Sequence, residues 1–216
     1  MAEAALDHLV VAASELDAGA AWLEERLGVT LAPGGRHAAM GTHNRLLKLG
    51  PRLYLELIAV DPAAPAPTRL RWFGLDDPAL REKIAGRPRL IHWVARCNDI
   101  SAASAASAGQ LVDILDLARG DFRWRITVPA DGHLPGDGLA PSLIEWRSPA
   151  HPADRLPERG CTLMKLEGFH PEPARIRSAL ADIGLTDTLA IFPTEAEEMP
   201  CLLACIKTPA GLREID

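Results

Sequence analysis

The sequence predicts an α+β fold made of tandem βαβββ modules, in which one strand–helix–strand–strand–strand unit occurs twice and a third copy is incomplete. Two observations carry this prediction. The apolar and turn patterns of residues 6–60 recur in the same order over residues 90–147. A histidine in the first strand of each unit is also followed, about fifty residues later, by a glutamate in the last strand. The two pairs are His8 with Glu56 and His92 with Glu145.

The first unit begins with an apolar strand and an amphipathic helix. Apolar residues from Leu16 to Leu27 follow helical spacing, and Gly28 is placed to end the helix. Pro33-Gly34-Gly35 is predicted to form a turn. The predicted strands are 6–12, 37–40, 44–49 and 53–60.

The second unit repeats this order after a linker rich in proline and alanine, which contains a short predicted helix at 78–84. Its Ala/Ser-rich helix is predicted to stop at Gly109. The predicted strands are 90–96, 111–117, 122–129 and 142–147.

The third unit is predicted to be structural. Its elements are a strand at 162–166, a helix at 173–183, and closing strands at 188–192 and 201–207. Met164 precedes Gly184 by the same distance at which His8 precedes Gly28, so a methionine stands where the other units have histidine. The predicted modules are 1–62 for the first, 63–88 for the linker, 89–150 for the second and 151–216 for the partial third.

Composition limits the classes of partner. The 216 residues are 48% hydrophobic and carry a net charge of −6, which is typical of a soluble globular protein and argues against nucleic acid. No apolar stretch is long enough to span a membrane, and no signal peptide is predicted. Four cysteines without a disulfide framework favour a cytoplasmic location.

The two glutamates need partners. Strand alternation places Glu56 with Tyr54 and Ile58, opposite an all-leucine face that suits helix packing. A buried carboxylate without a partner is costly. The same argument applies to Glu145, although Arg147 is an alternative partner for it.

Three arrangements satisfy His8, Glu56, His92 and Glu145: a shared metal ion, direct His–Glu hydrogen bonds, or a water-filled cup. Imidazole and carboxylate ligands together suit zinc, iron, manganese, nickel or cobalt. A divalent metal is therefore one prediction, and no organic cofactor is implied.

The motifs resemble those of a known superfamily. Residues 6–11 are Leu-Asp-His-Leu-Val-Val, and a helix with the sequence Glu-Leu-Asp-Ala-Gly-Ala-Ala-Trp-Leu-Glu-Glu-Arg-Leu-Gly follows. With the repeated unit, this opening resembles the vicinal oxygen chelate superfamily. The motifs at 34–37, 41–44 and 54–58 are similar to its glyoxalase-like domain family. Glyoxalase I itself has a plain two-module plan, from which the linker and the third unit depart.

The resemblance implies a site and a function. Metal ligands in this superfamily come from the first and last strands of paired modules, which are the positions of His8, Glu56, His92 and Glu145. The function it implies is a divalent-metal-dependent enzyme acting on a small vicinal-oxygen substrate, of isomerase, lyase or dioxygenase type. The alternative is a metal-independent protein that binds or sequesters a small molecule, of the bleomycin-resistance type. Homodimers are an expectation from the same resemblance.

Further residues are predicted around this site. Glu56, Glu145 and His37 are candidates for proton transfer. The candidates for substrate binding are Arg36, Asn44, Tyr54, Trp93 and Trp146, with Trp72 as a further aromatic wall. By contrast, His151 and His170, each followed by proline, are predicted to be structural.

Overall fold

A computed structural model describes residues 4–107 and 112–216. The predicted helix end at Gly109 and strand start at Leu111 lie outside these residues. The strands β1 to β12 are Ala5–Ala12, Ala32–His37, Thr42–Gly50, Leu53–Val60, Arg89–Arg96, Val112–Arg119, Phe122–Pro129, Ser142–Trp146, Thr162–His170, Ala190–Pro193, Cys201–Thr208 and Gly211–Ile215. The helices α1 to α5 are Leu16–Leu27, Pro78–Ala85, Ile100–Ala106, Pro152–Arg155 and Pro173–Asp182.

The first two units form one sheet of eight strands, in the order β2-β3-β4-β1-β5-β8-β7-β6. Within each unit the first strand runs parallel to the last, β1 beside β4 and β5 beside β8. The units join through antiparallel pairing of β1 with β5, which sets His92 opposite Val10. The edge strands β2 and β6 come into contact, so the sheet curls into a cup.

Side-chain alternation separates two cores. Leu9 and Leu57 point outward and pack with Leu23 of α1 in one buried cluster. Val10 and Ile58 point inward and belong to a second cluster inside the cup. The tandem βαβββ fold predicted from the sequence is confirmed.

The third unit forms a separate sheet in the order β10-β9-β11-β12. Its first strand, β9, lies inside the sheet and pairs with β11 antiparallel, so the topology differs from that of the other units. Its apolar residues, among them Leu166 and Leu202, complete the outer core. The strand β12 has no counterpart among the predicted elements.

The strand β2 begins earlier than predicted. Pro33, Gly34 and Gly35 lie within it, and its register with β3 shifts between Pro33 and Arg36. A Cβ atom on Gly34 would lie 2.0 Å from Asn44 Oδ1, so only glycine allows this approach. The predicted turn is therefore a bulged strand.

The linker enters the cup. A 3-10 turn at Trp72–Gly74 places Trp72 and Phe73 in the inner cluster, where their rings stack. Phe73 has a φ of 57°, a conformation that bulky residues rarely adopt. Among the described residues, the helices are all too short or too polar to cross a bilayer.

Candidate functional site

The candidate site is a cavity of about 30 Å³ where the two halves of the cup meet. A water molecule needs roughly 10–15 Å³ of such space, so the cavity accommodates a group of a few atoms. It is lined by His8, His37, Asn44, Tyr54, Glu56, Trp72, Phe73, Arg119, Trp124, Ile126, Ile144 and Trp146.

A buried carboxylate holds His8 in place. The register of β1 with β5 shifts between Leu6 and His8, and Asp7 Oδ1 lies 2.7 Å from His8 Nδ1. Burial by itself raises the pKa of Asp7, but hydrogen bonds from His151 and His8 outweigh it and hold that pKa well below its usual value. Asp7 is therefore charged, and the Nδ1 proton of His8 points at it.

Glu56 faces the other side of His8. Its Oε2 lies 3.7 Å from His8 Nε2, beyond hydrogen-bond distance. Its Oε1 accepts a hydrogen bond of 2.5 Å from Asn44 Nδ2. Register explains this placement, because Glu56 lies opposite Val10, which shares the inner face of β1 with His8. One carboxylate oxygen is thus fixed, while the other faces the cavity.

Asn44 links the two edges of the cup. Its Oδ1 accepts hydrogen bonds from the Gly35 backbone N–H at 2.7 Å and from Arg119 Nη1 at 3.2 Å. These donors fix the orientation of the amide, so its Nδ2 must point at Glu56.

His37 positions Arg119. Arg119 Nη1 lies 3.1 Å from His37 Nε2, and because arginine only donates, this nitrogen accepts. His37 Nδ1 then donates to Thr42 Oγ1 at 3.1 Å. Burial lowers the pKa of His37 to about 4, and Arg119 adds to the shift while Glu56 opposes it. His37 is thus neutral at pH 7, and its Nε2 lies 4.0 Å from Glu56 Oε1.

Tyr54 stacks on the His8 ring with centroids 4.6 Å apart. Burial raises the pKa of Tyr54, and Asp7 and Glu56 raise it further, so the phenol stays protonated. Because Tyr54 lines the cavity, its protonated hydroxyl is a hydrogen-bond donor on the cavity wall.

The second unit carries a different pair. Val94 of β5 lies opposite Ser142 of β8, as Val10 lies opposite Glu56, so Ser142 occupies the position equivalent to Glu56. His92 Nε2 lies 3.0 Å from Ser142 Oγ and accepts from the Ser142 backbone N–H at 3.0 Å, while its Nδ1 lies 3.2 Å from Gly138 O. Burial lowers the pKa of His92 to about 3, against the raising effect of the Gly138 carbonyl.

Glu145 lies on the outer face of β8. Its Oε1 accepts from Arg147 at 2.6 Å, and its Oε2 accepts from Arg125 at 3.3 Å and from the Ile100 backbone N–H at 3.4 Å. These contacts place Glu145 beside α3. The preceding residue, Ile144, lies on the inner face, so Glu145 lies on the opposite face of the strand. The expectation that Glu145 shares the concave face with Glu56 is corrected by this register.

The four predicted metal ligands do not converge. Glu145 faces away from the cup, and a backbone N–H occupies the Nε2 lone pair of His92. Only His8 and Glu56 face one another. In the part of the chain that the structure describes, no group of three or more His, Cys, Asp or Glu side chains has metal-binding geometry. The donor set therefore does not fit the predicted four-ligand site.

The family follows from the sequence itself. The profile of the glyoxalase-like domain matches residues 6–184. The chain belongs to the glyoxalase-like domain family. The family resemblance predicted from the motifs is confirmed, together with its vicinal oxygen chelate fold.

Solved structures similar to this glyoxalase-like protein have low sequence identity. A hypothetical protein from Staphylococcus aureus is 13% identical, with a TM-score of 0.63 and coverage of 99% of both chains, and it supports the fold alone. Methylmalonyl-CoA epimerases from Mycobacterium tuberculosis and Streptomyces coelicolor are 18% and 19% identical, each with a TM-score of 0.41. They cover 65% and 67% of this chain, and 85% and 97% of their own. No curated protein matches the sequence.

Three predicted substrate-binding residues of this glyoxalase-like protein reach the cavity: Asn44, Tyr54 and Trp146. Two do not. Arg36 is an exposed side chain that pairs with Asp61 at 3.3 Å. Trp93 points into the outer core, where its indole donates to Leu139 O at 2.9 Å.

Several site residues were missed from the sequence. Asp7 precedes His8, and regular alternation would place the two on opposite faces. Arg119 belongs to none of the motifs identified in the sequence, and His151 was predicted to be structural. Ser142 had a detectable signal, because it follows His92 by 50 residues, closer than Glu145 to the 48 residues between His8 and Glu56.

Proposed function

We propose that this chain is a proton-transfer enzyme for a small carbonyl compound that carries an anionic group, of the isomerase or lyase class. The observation that carries the proposal is the buried Glu56 carboxylate. Asn44 fixes its Oε1, whereas its Oε2 lies 3.7 Å from His8 Nε2 and accepts no hydrogen bond from residues 4–107 and 112–216. Such a carboxylate is positioned to act as a general base.

His8 supports this base. Asp7 holds the Nδ1 proton of His8, so its Nε2 faces Glu56 Oε2 across 3.7 Å. Two acceptors at this distance repel one another unless a proton resides on one of them. His8 Nε2 therefore faces Glu56 as an acceptor for the proton that Glu56 removes from the substrate.

Two further polar groups of the cavity suit the carbonyl oxygen and the anionic group of the substrate. The Tyr54 hydroxyl is a hydrogen-bond donor on the cavity wall and suits a carbonyl oxygen that becomes an enolate. Arg119, held by His37 and Asn44, is the cation of the cavity and suits a carboxylate. The small volume favours a substrate of a few heavy atoms, or the reacting end of a larger one.

The step balances within these residues. Glu56 Oε2 removes a proton from the carbon next to the carbonyl, and the C–H electron pair moves into the enolate, whose oxygen accepts from Tyr54. Return of a proton from Glu56 to the same carbon reforms the carbonyl compound, with deuterium in place of the proton when the solvent is D₂O. A divalent metal would find only His8 and Glu56 of its four predicted ligands facing one another.

Deuterium exchange tests the proposal. Pyruvate, 2-oxobutyrate and the uncharged dihydroxyacetone are incubated with the protein in D₂O, and loss of the proton signal next to the carbonyl is followed by NMR. We expect exchange of the two keto acids above the buffer rate, weaker exchange of dihydroxyacetone, and loss of at least about 100-fold in Glu56→Gln.

Glu145→Gln is the matched control, because it neutralises a second buried glutamate that lies outside the cup. Exchange that is absent for all three compounds, or that persists in Glu56→Gln, contradicts the proposal.

A second candidate function is ligand binding without chemistry. The indoles of Trp72, Trp124 and Trp146 line the cavity and favour it. Quenching of tryptophan fluorescence by the same compounds, without any exchange, would support binding alone.

A further inference from the structure

We infer that His151 is a positioning residue for His8, acting through Asp7 from the start of the third unit. This role rests on the function proposed for the cavity, which His151 itself does not line. His151 lies 144 positions from Asp7 in the chain, yet its Nε2 is 3.0 Å from Asp7 Oδ2.

Local structure determines which ring nitrogen of His151 carries the proton. It precedes α4 as its N-cap, and its Nδ1 accepts from the Ala153 backbone N–H at 3.2 Å. The reciprocal bond of the capping box runs from the His151 backbone N–H to Asp154. Because Nδ1 accepts, the ring proton resides on Nε2 and donates to Asp7.

The Asp7 carboxylate passes this constraint to His8. Trp146 Nε1 donates to the same Oδ2 at 2.9 Å, which leaves Oδ1 for His8 Nδ1 at 2.7 Å. A neutral histidine has two tautomers, and the partner of one nitrogen selects which nitrogen carries the proton. The chain from His151 through Asp7 therefore keeps the Nδ1 proton on His8 and directs Nε2 toward Glu56.

The packing around Asp7 leaves no room for a water molecule in addition to the His151 ring. His151 and Asp7 both have 0% exposure. The Tyr54 ring packs on both histidines, with its centroid 4.6 Å from that of His8 and 5.7 Å from that of His151. Water therefore cannot replace His151 at Asp7 while the wild-type packing persists.

The chain offers a matched control in His170. It too is followed by proline, is buried, and accepts a backbone N–H at Nδ1, from Glu172 at 2.8 Å. Its Nε2 contacts an aspartate, Asp137, at 3.1 Å. That aspartate is more than half exposed and does not contact the site, so His170 shares the local motif without the link.

The test is ¹H–¹⁵N NMR of the histidine rings in the full chain. In the wild type we expect slowly exchanging protons on His8 Nδ1 and His151 Nε2. In His151→Phe, which fills the space without a donor, the His8 Nδ1 proton should exchange rapidly or move to Nε2. His151→Gln, which keeps a donor, should restore it in part, and His170→Phe should leave it unchanged.

Two results would overturn the inference. One is a His8 Nδ1 signal that stays intact in folded His151→Phe. The other is a wild-type spectrum in which His8 lacks the Nδ1 proton or His151 carries its proton on Nδ1, and this needs no variant to fold. Since no substrate is required, the result is independent of whether the exchange assay succeeds. With an active substrate, His151→Phe should slow exchange by about 10–100-fold, the loss that is typical when the hydrogen-bond partner of a metal-binding histidine is removed.

Discussion

Replacing Asp7 with asparagine tests the buried network at the base of the site. The carboxylate accepts from His8, His151 and Trp146 and has no exposure. An asparagine has one acceptor oxygen, so if it serves His151 and Trp146, its NH₂ group faces the Nδ1 proton of His8. The side chain keeps its shape but loses both its charge and one acceptor.

The expected loss in the free energy of unfolding follows from these three hydrogen bonds. Hydrogen bonds to a charged acceptor contribute about 1.5–3 kcal/mol, neutral ones about 1 kcal/mol, and an unsatisfied buried donor costs about 1–3 kcal/mol. Two weakened bonds and one unsatisfied donor, offset in part by a tautomer change at His8, give a loss of about 3 kcal/mol at pH 7.

The assay is urea unfolding followed by tryptophan fluorescence, in which this loss lowers the midpoint by about 1 M. The effect should depend on pH. The pKa of Asp7 lies well below 3.8 in the folded state, so its contribution to stability is fully present above 3.8. It decreases as pH falls below 3.8 and is lost only when pH passes through the lower folded-state pKa. A loss below about 1 kcal/mol, or one that is equal at pH 7 and pH 3, would refute the reasoning.

Three further predictions concern single residues. His37 should titrate near pH 4 by NMR, and a midpoint near 6.5 would contradict its burial. Because its unfolded-state pKa is 6.5, His37 should lower the free energy of unfolding as pH falls from 6.5 to 4. Gly34→Ala should cost about 1–3 kcal/mol in urea unfolding, since its Cβ would meet Asn44 Oδ1 at 2.0 Å, and a neutral effect would contradict the close approach. Glu145→Gln should cost about 1–2 kcal/mol through Arg125 while any activity of the cup stays within about twofold, and a large loss of activity would place Glu145 in the site.

Periodicity alone was sufficient for the tandem fold and for the inner position of Glu56. The position of Glu145 was not accessible in this way, because a shift of one residue in the pairing of a strand exchanges its two faces. Only the pairing of β5 with β8 shows that Ser142, and not Glu145, matches Glu56. Asp7 was missed for a related reason, since a register shift in β1 interrupts regular alternation.

Arg119 illustrates a second limit. It is separated from His37 by 82 residues, and the two meet only because the sheet curls until its edge strands touch. Sequence patterns describe neighbours along a strand or helix, whereas curvature depends on how all eight strands twist together. Contacts made by such long-range closure of a sheet cannot be predicted from local sequence patterns.

The aromatic turn in the linker determines how this protein can be dissected. Trp72 packs edge-on against His37 of the first unit, and Phe73 packs against His92 of the second. The segment that connects the two modules is therefore also a wall of the cavity they share. If the chain were cut within 63–88, each fragment would lose part of that wall, so the two duplicated units are not independent modules. A deletion that shortens the linker would change which ligand the cup accepts.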